Sequence, residues 1–176
     1  MECVILGWPD DGITLDLDHE AFSYAGKFRM SSTGKAVARE NGSVVGAVAF
    51  DPDRAREATA RLRYVTVRAD RRGAGIGPRL CAFVAERLDD RGFERTLIAV
   101  NNPFAYQALY RAGFAYTGER TGLAELVLER PGDRSSDRYQ AGLAAFDERE
   151  GLSRDERDFL AENVNAEPPE PIDPMC

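Results

Sequence analysis

The fold is decided by the stretch Val65-Thr66-Val67-Arg68-Ala69-Asp70-Arg71-Arg72-Gly73-Ala74-Gly75-Ile76-Gly77-Pro78. The β-branched and aromatic residues of 59–67 predict a strand that leads into it. Apolar residues recur at helical spacing from Ile76 onward, and Pro78 suits the first turn of a helix. Backbone N–H groups at a helix N-terminus bind anions, and glycines allow a phosphate to approach the chain closely. The stretch therefore predicts a phosphate- or pyrophosphate-binding turn.

Two common phosphate-binding motifs do not fit this turn. A Walker loop requires a lysine directly after its last glycine, and here Pro78 follows Gly77. A dinucleotide-binding turn has the spacing G-x-G-x-x-G, whereas this chain has Gly73-x-Gly75-x-Gly77. A glycine-rich connector without a ligand is the remaining alternative.

The segments on either side predict an α/β protein. Asn41-Gly42 lies between two alternating segments and is a strong hairpin signal. A short helix is expected around residues 20–25, and Gly113 is expected to end a helix over residues 103–112. The expected strands are residues 3–6, 35–40, 43–50, 59–67, 96–100, 114–117 and 123–128.

The composition changes after Pro131-Gly132, so we expect two parts, residues 1–132 and 133–176. The first part holds 18 basic and 18 acidic residues, and the second holds 5 basic and 12 acidic residues. The second part predicts two helices, one with the apolar stripe Tyr139, Leu143 and Phe146 and one opened by a capping box at Ser153. Its last dozen residues are rich in proline and acid, which predicts disorder.

The remaining composition excludes several classes of protein. The chain has 176 residues, a net charge of −7, three cysteines and one histidine. Widely spaced cysteines make a disulfide scaffold and a zinc site unexpected, and we expect no metal. No segment has the length or hydropathy of a membrane span or a secretory leader, so a soluble cytoplasmic protein is expected. The negative charge disfavours nucleic acid as a partner, and the absence of a membrane span disfavours a membrane. Residues 54–95 nevertheless carry 11 Arg against 6 acids, which suits a local anion site.

A second block of sequence identifies a family. Asn102 follows an apolar segment, and Gly113-Phe114 follows the next helical segment. With Arg72-x-x-Gly75-x-Gly77, these residues resemble the two motifs of the GNAT superfamily of acetyl-CoA-dependent N-acetyltransferases. The resemblance covers about residues 35–129. It implies a mixed, largely antiparallel central sheet with helices on both faces, to which this chain adds a C-terminal helical tail.

The resemblance also implies a cofactor site and a reaction. The backbone of Val65, Thr66 and Val67 would pair with the pantetheine arm of acetyl-CoA, and a backbone N–H near Val67 would stabilise the oxyanion. Asn102 would contact the cofactor or an ordered water. The amine would attack acetyl-CoA directly, without a covalent enzyme intermediate. The pyrophosphate would be wrapped by Arg72, Gly73, Ala74, Gly75, Ile76, Gly77 and Pro78.

The chain departs from the family pattern at the expected acid and base. Leu109 occupies the position where the family often has a tyrosine general acid, so Tyr110 is the candidate and Tyr106 the second one. The alternative is that both tyrosines pack in the core. The strands that carry a carboxylate base in some members offer Arg61, Arg63 and Leu97 instead. Any base is then a water or lies elsewhere.

The sequence alone does not identify the acceptor substrate. The acidic cluster Asp16, Asp18, His19 and Glu20 could bind a cationic acceptor, or it could be a solvated turn. We expect an N-acetyltransferase for a primary amine, either a small molecule or a protein N-terminus, which could act as a homodimer. A cofactor-binding regulatory module with little or no turnover is the main alternative, and transfer of a longer acyl group is another.

Overall fold

The computed structural model describes residues 1–122, 124–174 and 176. The chain forms two compact units, one of Met1–Thr96 with Ile172–Cys176 and one of Leu97–Pro171. Leu123, the first residue of the expected strand 123–128, lies outside the described residues, as does Met175.

The first unit contains four antiparallel strands and a helix. The strands lie in the order β1 (Glu2–Gly7), β2 (Gly34–Glu40), β3 (Ser43–Pro52) and β4 (Thr59–Val67), and α1 spans Ile76–Asp90. The hairpin signal is confirmed, because Asn41 and Gly42 have φ values of 50° and 79°. Such positive values match a turn with the twist of the strands that it joins.

Helix α1 packs close to the sheet because β3 carries a glycine beneath it. A Cβ at Gly46 would lie 3.1 Å from Cγ2 of Ile76 and 3.6 Å from Cδ2 of Leu80. Ile76, Leu80 and Leu88 are all buried, as their helical spacing predicts. The contact fixes the start of α1 beside β3, and this start follows the glycine loop.

The segment between β1 and β2 differs from the expected short helix over residues 20–25. The structure has a 3-10 turn at Ala25–Arg29 instead. The Asp18 carboxylate accepts a hydrogen bond from the Glu20 N–H at 2.9 Å, and Tyr24 has a left-handed φ of 61°. A side chain that bonds to its own local backbone competes with helix formation.

A buried lysine holds this segment in place. The Lys35 side chain is fully buried, and its ammonium donates to the carbonyls of Ile13, Met30 and Thr33 at 2.6–2.9 Å. It also donates to the Thr33 hydroxyl at 2.9 Å. A buried charge is tolerated only where it is well hydrogen-bonded, so these oxygens and Lys35 stabilise each other.

The second unit contains the remaining helices and the hairpin of β6 (Ala115–Thr121) and β7 (Glu125–Arg130), which pair antiparallel. Strand β5 (Arg95–Val100) precedes α2 (Pro103–Arg111). The two expected C-terminal helices are α3 (Ser136–Asp147) and α4 (Arg154–Glu162), and the capping box at Ser153 is present. The expected fold class is confirmed: α/β with a largely antiparallel sheet.

Aromatic rings form the centre of the second unit. The Tyr106 ring stacks on the Tyr139 ring at 5.6 Å, and Tyr110 and Phe146 contact the same group. Gly142 on α3 lies against the Tyr106 side chain so closely that a Cβ there would overlap it. Helix α3 therefore belongs to the core of this unit and is not an appendage.

The C-terminal segment, whose composition predicts disorder, makes hydrogen bonds to residues at and just before the start of α3. The Arg134 guanidinium donates to the Pro169 carbonyl at 2.8 Å, and the Ser136 hydroxyl bonds to the Glu167 carboxylate. Cys3 and Cys176 form a disulfide, which the spacing of the cysteines did not predict. These contacts join residues that are far apart in the sequence, so the composition of the segment does not predict them.

Candidate cofactor site

Two glycines give the loop between β4 and α1 its shape. After β4 the chain makes a 3-10 turn at Ala69–Arg71 and then passes through Gly73 and Gly75, which have φ values of 83° and 80°. Side chains other than glycine rarely adopt this left-handed conformation. Gly75 is the N-cap residue of α1, so its conformation sets the direction in which the helix begins.

The N-terminus of α1 has no side-chain cap, although the other three α-helices of the described residues all have one. The first intrahelical bond runs from the Arg79 N–H to the Gly75 carbonyl at 3.2 Å. The N–H groups of Ile76 and Gly77 precede it and belong to the unsatisfied first turn of the helix. An anion could therefore bind these donors without displacing a side chain.

One of the three loop arginines has no carboxylate partner. Arg68 pairs with Asp70, and Arg71 pairs with Glu40, each at 2.6 Å. These arginines lower the pKa of the Asp70 and Glu40 carboxyl groups. Arg72 is exposed and has no acidic partner in the described part of the chain; it donates to the Ser23 hydroxyl at 3.1 Å and the Val67 carbonyl at 3.3 Å. Its charge is therefore available to an anion at the loop.

Strand β4 is irregular just before the segment expected to hold pantetheine. Tyr64 pairs with Ala49 and Leu62 pairs with Phe50, so Arg63 is an extra residue in the ladder. Such a bulge bends a strand and redirects the groups that follow it. Val65, Thr66 and Val67 then pair regularly with β3 along one edge.

The charges on β4 are already neutralised. Arg61 pairs with Asp53 at 2.5 Å, and Arg63 pairs with Asp51 at 2.6 Å. Backbone N–H donors and Arg61 hold the pKa of Asp53 below its usual range. Asp51 lies at the end of β3 and Asp53 directly after it, and both are committed to ion pairs, so neither is a free base.

Asn102 caps α2 in the second unit. Its Oδ1 accepts from the Ala105 N–H at 2.8 Å, and its Nδ2 donates to Oδ1 of Asn101 at 3.1 Å. An asparagine before a proline at the first helical position is a common helix start. Its expected contact with the cofactor stays a prediction.

The tyrosines on α2 are buried and engaged. Tyr110 has no exposed surface, and its hydroxyl accepts from the Tyr116 N–H at 2.9 Å. The Tyr106 hydroxyl donates to the Tyr139 carbonyl at 2.9 Å. Burial raises the pKa of both phenols. These contacts favour the packing alternative, and Tyr110 as general acid stays a prediction.

The acidic residues of the cluster 16–20 make separate local contacts. The Asp16 carboxylate accepts from Arg29 at 2.6 Å, whereas that of Asp18 accepts from the Glu20 N–H. All four residues of the cluster are exposed, as in a solvated turn. Within the described ranges, no three or more His, Cys, Asp or Glu side chains lie close enough together to hold a metal ion.

Comparison with known proteins identifies the family. The Acetyltransferase (GNAT) family profile matches residues 6–114. An IAA acetyltransferase from Bacillus cereus has a TM-score of 0.54 at 21% identity, with 73% of this chain and 98% of that one covered. A ribosomal-protein-alanine N-acetyltransferase from Brucella melitensis has a TM-score of 0.46 at 24% identity, with 56% and 68% covered. A search of curated proteins finds no match. None of the described helices is long and apolar enough to cross a membrane.

Proposed function

We propose, since the chain belongs to the GNAT acetyltransferase family, that it binds acetyl-CoA at the loop of residues 72–78 and acetylates a primary amine. The acceptor is a small molecule or a protein N-terminus. The observation that carries the proposal is the uncapped N-terminus of α1 beside the unpaired charge of Arg72. A pyrophosphate supplies the anion that such donors bind.

The loop and the strand divide the work of holding the cofactor. Arg72 and the N–H groups of Ile76 and Gly77 bind the pyrophosphate, and the backbone of residues 65–67 pairs with the pantetheine arm. The amine nitrogen attacks the thioester carbon, and a backbone N–H near Val67 stabilises the oxyanion. The C–S bond then breaks, CoA leaves as a thiolate, and the nitrogen loses a proton.

The acceptor amine must be neutral to attack. Strand β4 carries no carboxylate that could act as a base, so the proton goes to water or to a group elsewhere in the chain. An α-amino group with a pKa of about 8 is partly neutral near pH 7.5, whereas a lysine near ~10.4 is almost fully charged. The enzyme should therefore prefer α-amino or other low-pKa amines.

A binding module with little or no turnover is the second candidate. The burial of Tyr106 and Tyr110 favours it, because neither phenol on α2 has exposed surface from which to protonate the thiolate. Binding and turnover must therefore be measured separately.

The test combines calorimetry with a free-thiol assay. Acetyl-CoA should bind, and thiol should be released with a small amine or an α-amino peptide faster than with an α-blocked lysine peptide. Arg72→Gln should weaken binding, and Arg68→Gln, which removes a charge already paired with Asp70, should weaken it less. Binding without thiol release on any amine would support the module, and absence of binding would overturn both functions.

A further inference from the structure

A cavity of about 410 Å³ lies in the first unit, away from the glycine loop. It is formed by the turn after β1, the end of β3 and the end of α1. None of residues 65–78 lines it. The loop precedes the first residue of α1 and the cavity adjoins its last turn, so about 20 Å of helix separates them. Its volume is within the range of small-molecule sites. The apolar wall includes the half-buried rings of Trp8 and Phe93, with Phe50 and Leu88 behind them.

One cation at this cavity has no acidic partner. The Arg91 guanidinium lies over the Trp8 ring, 3.9 Å from its centroid, and pairs with no carboxylate of the described residues. Arg87, one turn earlier, does pair with Asp90 at 3.2 Å. A guanidinium stacked on an aromatic face keeps its N–H edge free to bind a carboxylate.

One carboxylate at the cavity is equally unpaired. Asp11 accepts from the Trp8 N–H at 2.7 Å, and Asp51 is held by Arg63. Asp10 lines the same cavity and, within residues 1–122 and 124–174, has neither an ion pair nor a side-chain hydrogen bond. The cavity thus presents one available cation, one available anion and an aromatic wall.

We propose that this cavity binds a free α-amino acid with an aromatic or large apolar side chain. The ligand's carboxylate pairs with Arg91, its ammonium pairs with Asp10, and its side chain packs against Trp8 and Phe93, the two half-buried rings of the cavity. A ligand with a single charge would leave one of the two groups unpaired. The proposal is independent of the acetyl-CoA site, because the two sites share no residue.

Trp8 makes the proposal directly measurable. It is the single tryptophan of the chain, so selectively excited tryptophan fluorescence reports on this cavity alone. Phenylalanine should change the emission saturably. It should bind at least about tenfold more tightly than 3-phenylpropionate, which lacks the ammonium, or phenethylamine, which lacks the carboxylate, because each has lost a charge-assisted hydrogen bond.

Charge variants then assign each end of the ligand. Asp10→Asn should bind phenylalanine no more tightly than 3-phenylpropionate. Arg91→Gln should bind phenylalanine no more tightly than phenethylamine. Arg87→Gln is the matched control, since Arg87 also lies over a ring, that of Phe83, but outside the cavity. Equilibrium dialysis measures phenylalanine binding directly and detects it even if the Trp8 emission does not change. Absence of binding by both methods at about 10 mM ligand, or equal losses in all three variants, would overturn the proposal.

Discussion

Gly75→Ala tests the account of the cofactor loop most sharply. Gly75 has a φ of 80° and sets the start of α1, so an alanine there must either adopt the left-handed conformation or shift the first turn. The left-handed conformation costs an alanine about 1–2 kcal/mol. A shift of the first turn instead moves the N–H groups of Ile76 and Gly77 away from the pyrophosphate.

The expected loss of affinity follows from these two donors. A hydrogen bond to a charged group contributes about 1.5–3 kcal/mol, so losing both costs about 3 kcal/mol or more. That corresponds to a weakening of acetyl-CoA binding by about 100-fold or more. Isothermal titration calorimetry of the folded variant measures it.

Two further glycines provide controls. Gly92 follows the other end of α1 with a φ of 95° and open space for a Cβ, so Gly92→Ala carries a similar backbone cost without touching the loop. Gly77 has no positive φ, and a Cβ there meets Val67 at an ordinary 3.5 Å. Gly77→Ala should therefore bind almost normally. If Gly75→Ala loses stability as Gly92→Ala does but keeps its affinity, the loop does not hold the cofactor.

Other substitutions test the remaining parts of the account. Tyr110→Phe should leave kcat within about twofold if water protonates the thiolate. A drop in kcat of about 10²-fold at unchanged acetyl-CoA affinity would make Tyr110 the general acid, and Tyr106→Phe tests the second phenol in the same way. Gly142→Ala should lower the free energy of unfolding by about 1–3 kcal/mol, because the added Cβ overlaps Tyr106. Gly26→Ala is the control, since a Cβ there meets open space. Equal free energies of unfolding for the two variants in urea titrations would refute the packing of α3. Cys176→Ser should lower the free energy of unfolding by about 2–5 kcal/mol under oxidising conditions, because the disulfide with Cys3 is lost; an unchanged Tm would contradict this. Burial lowers the pKa of Lys35 in the folded protein below its usual value of 10.5, so the unfolded chain binds the proton more tightly. The free energy of unfolding should therefore rise as the pH rises from the folded pKa of Lys35 towards 10.5. Lys35→Met should lack this rise in urea titrations, and identical pH profiles would contradict it.

The local features of the fold were predictable from the sequence. The hairpin at Asn41-Gly42, the glycine loop and the helix that begins at Ile76 each depend on the backbone preferences of a few adjacent residues. The GNAT motifs added the family, which the match over residues 6–114 confirms.

The features that the sequence did not predict depend on distant contacts. Lys35 bonds to Ile13, 22 residues earlier, and Tyr106 to Tyr139, 33 residues later. Cys3 and Cys176 are 173 residues apart. A helical stripe shows that Tyr106 and Tyr110 face one direction, but only the position of α3 shows that they are covered.

The amide resonances of residues 73–77 provide the most direct test of the central claim, that backbone donors of this loop hold the pyrophosphate of acetyl-CoA. In a titration followed by NMR, acetyl-CoA should shift the N–H signals of Gly75, Ile76 and Gly77 more than those at the starts of α3 and α4, which serine side chains already cap. Acetylated pantetheine, which lacks the pyrophosphate, should leave the loop signals in place. If acetyl-CoA binds while these signals stay unchanged, or if acetylated pantetheine shifts them equally, the loop is not the pyrophosphate site.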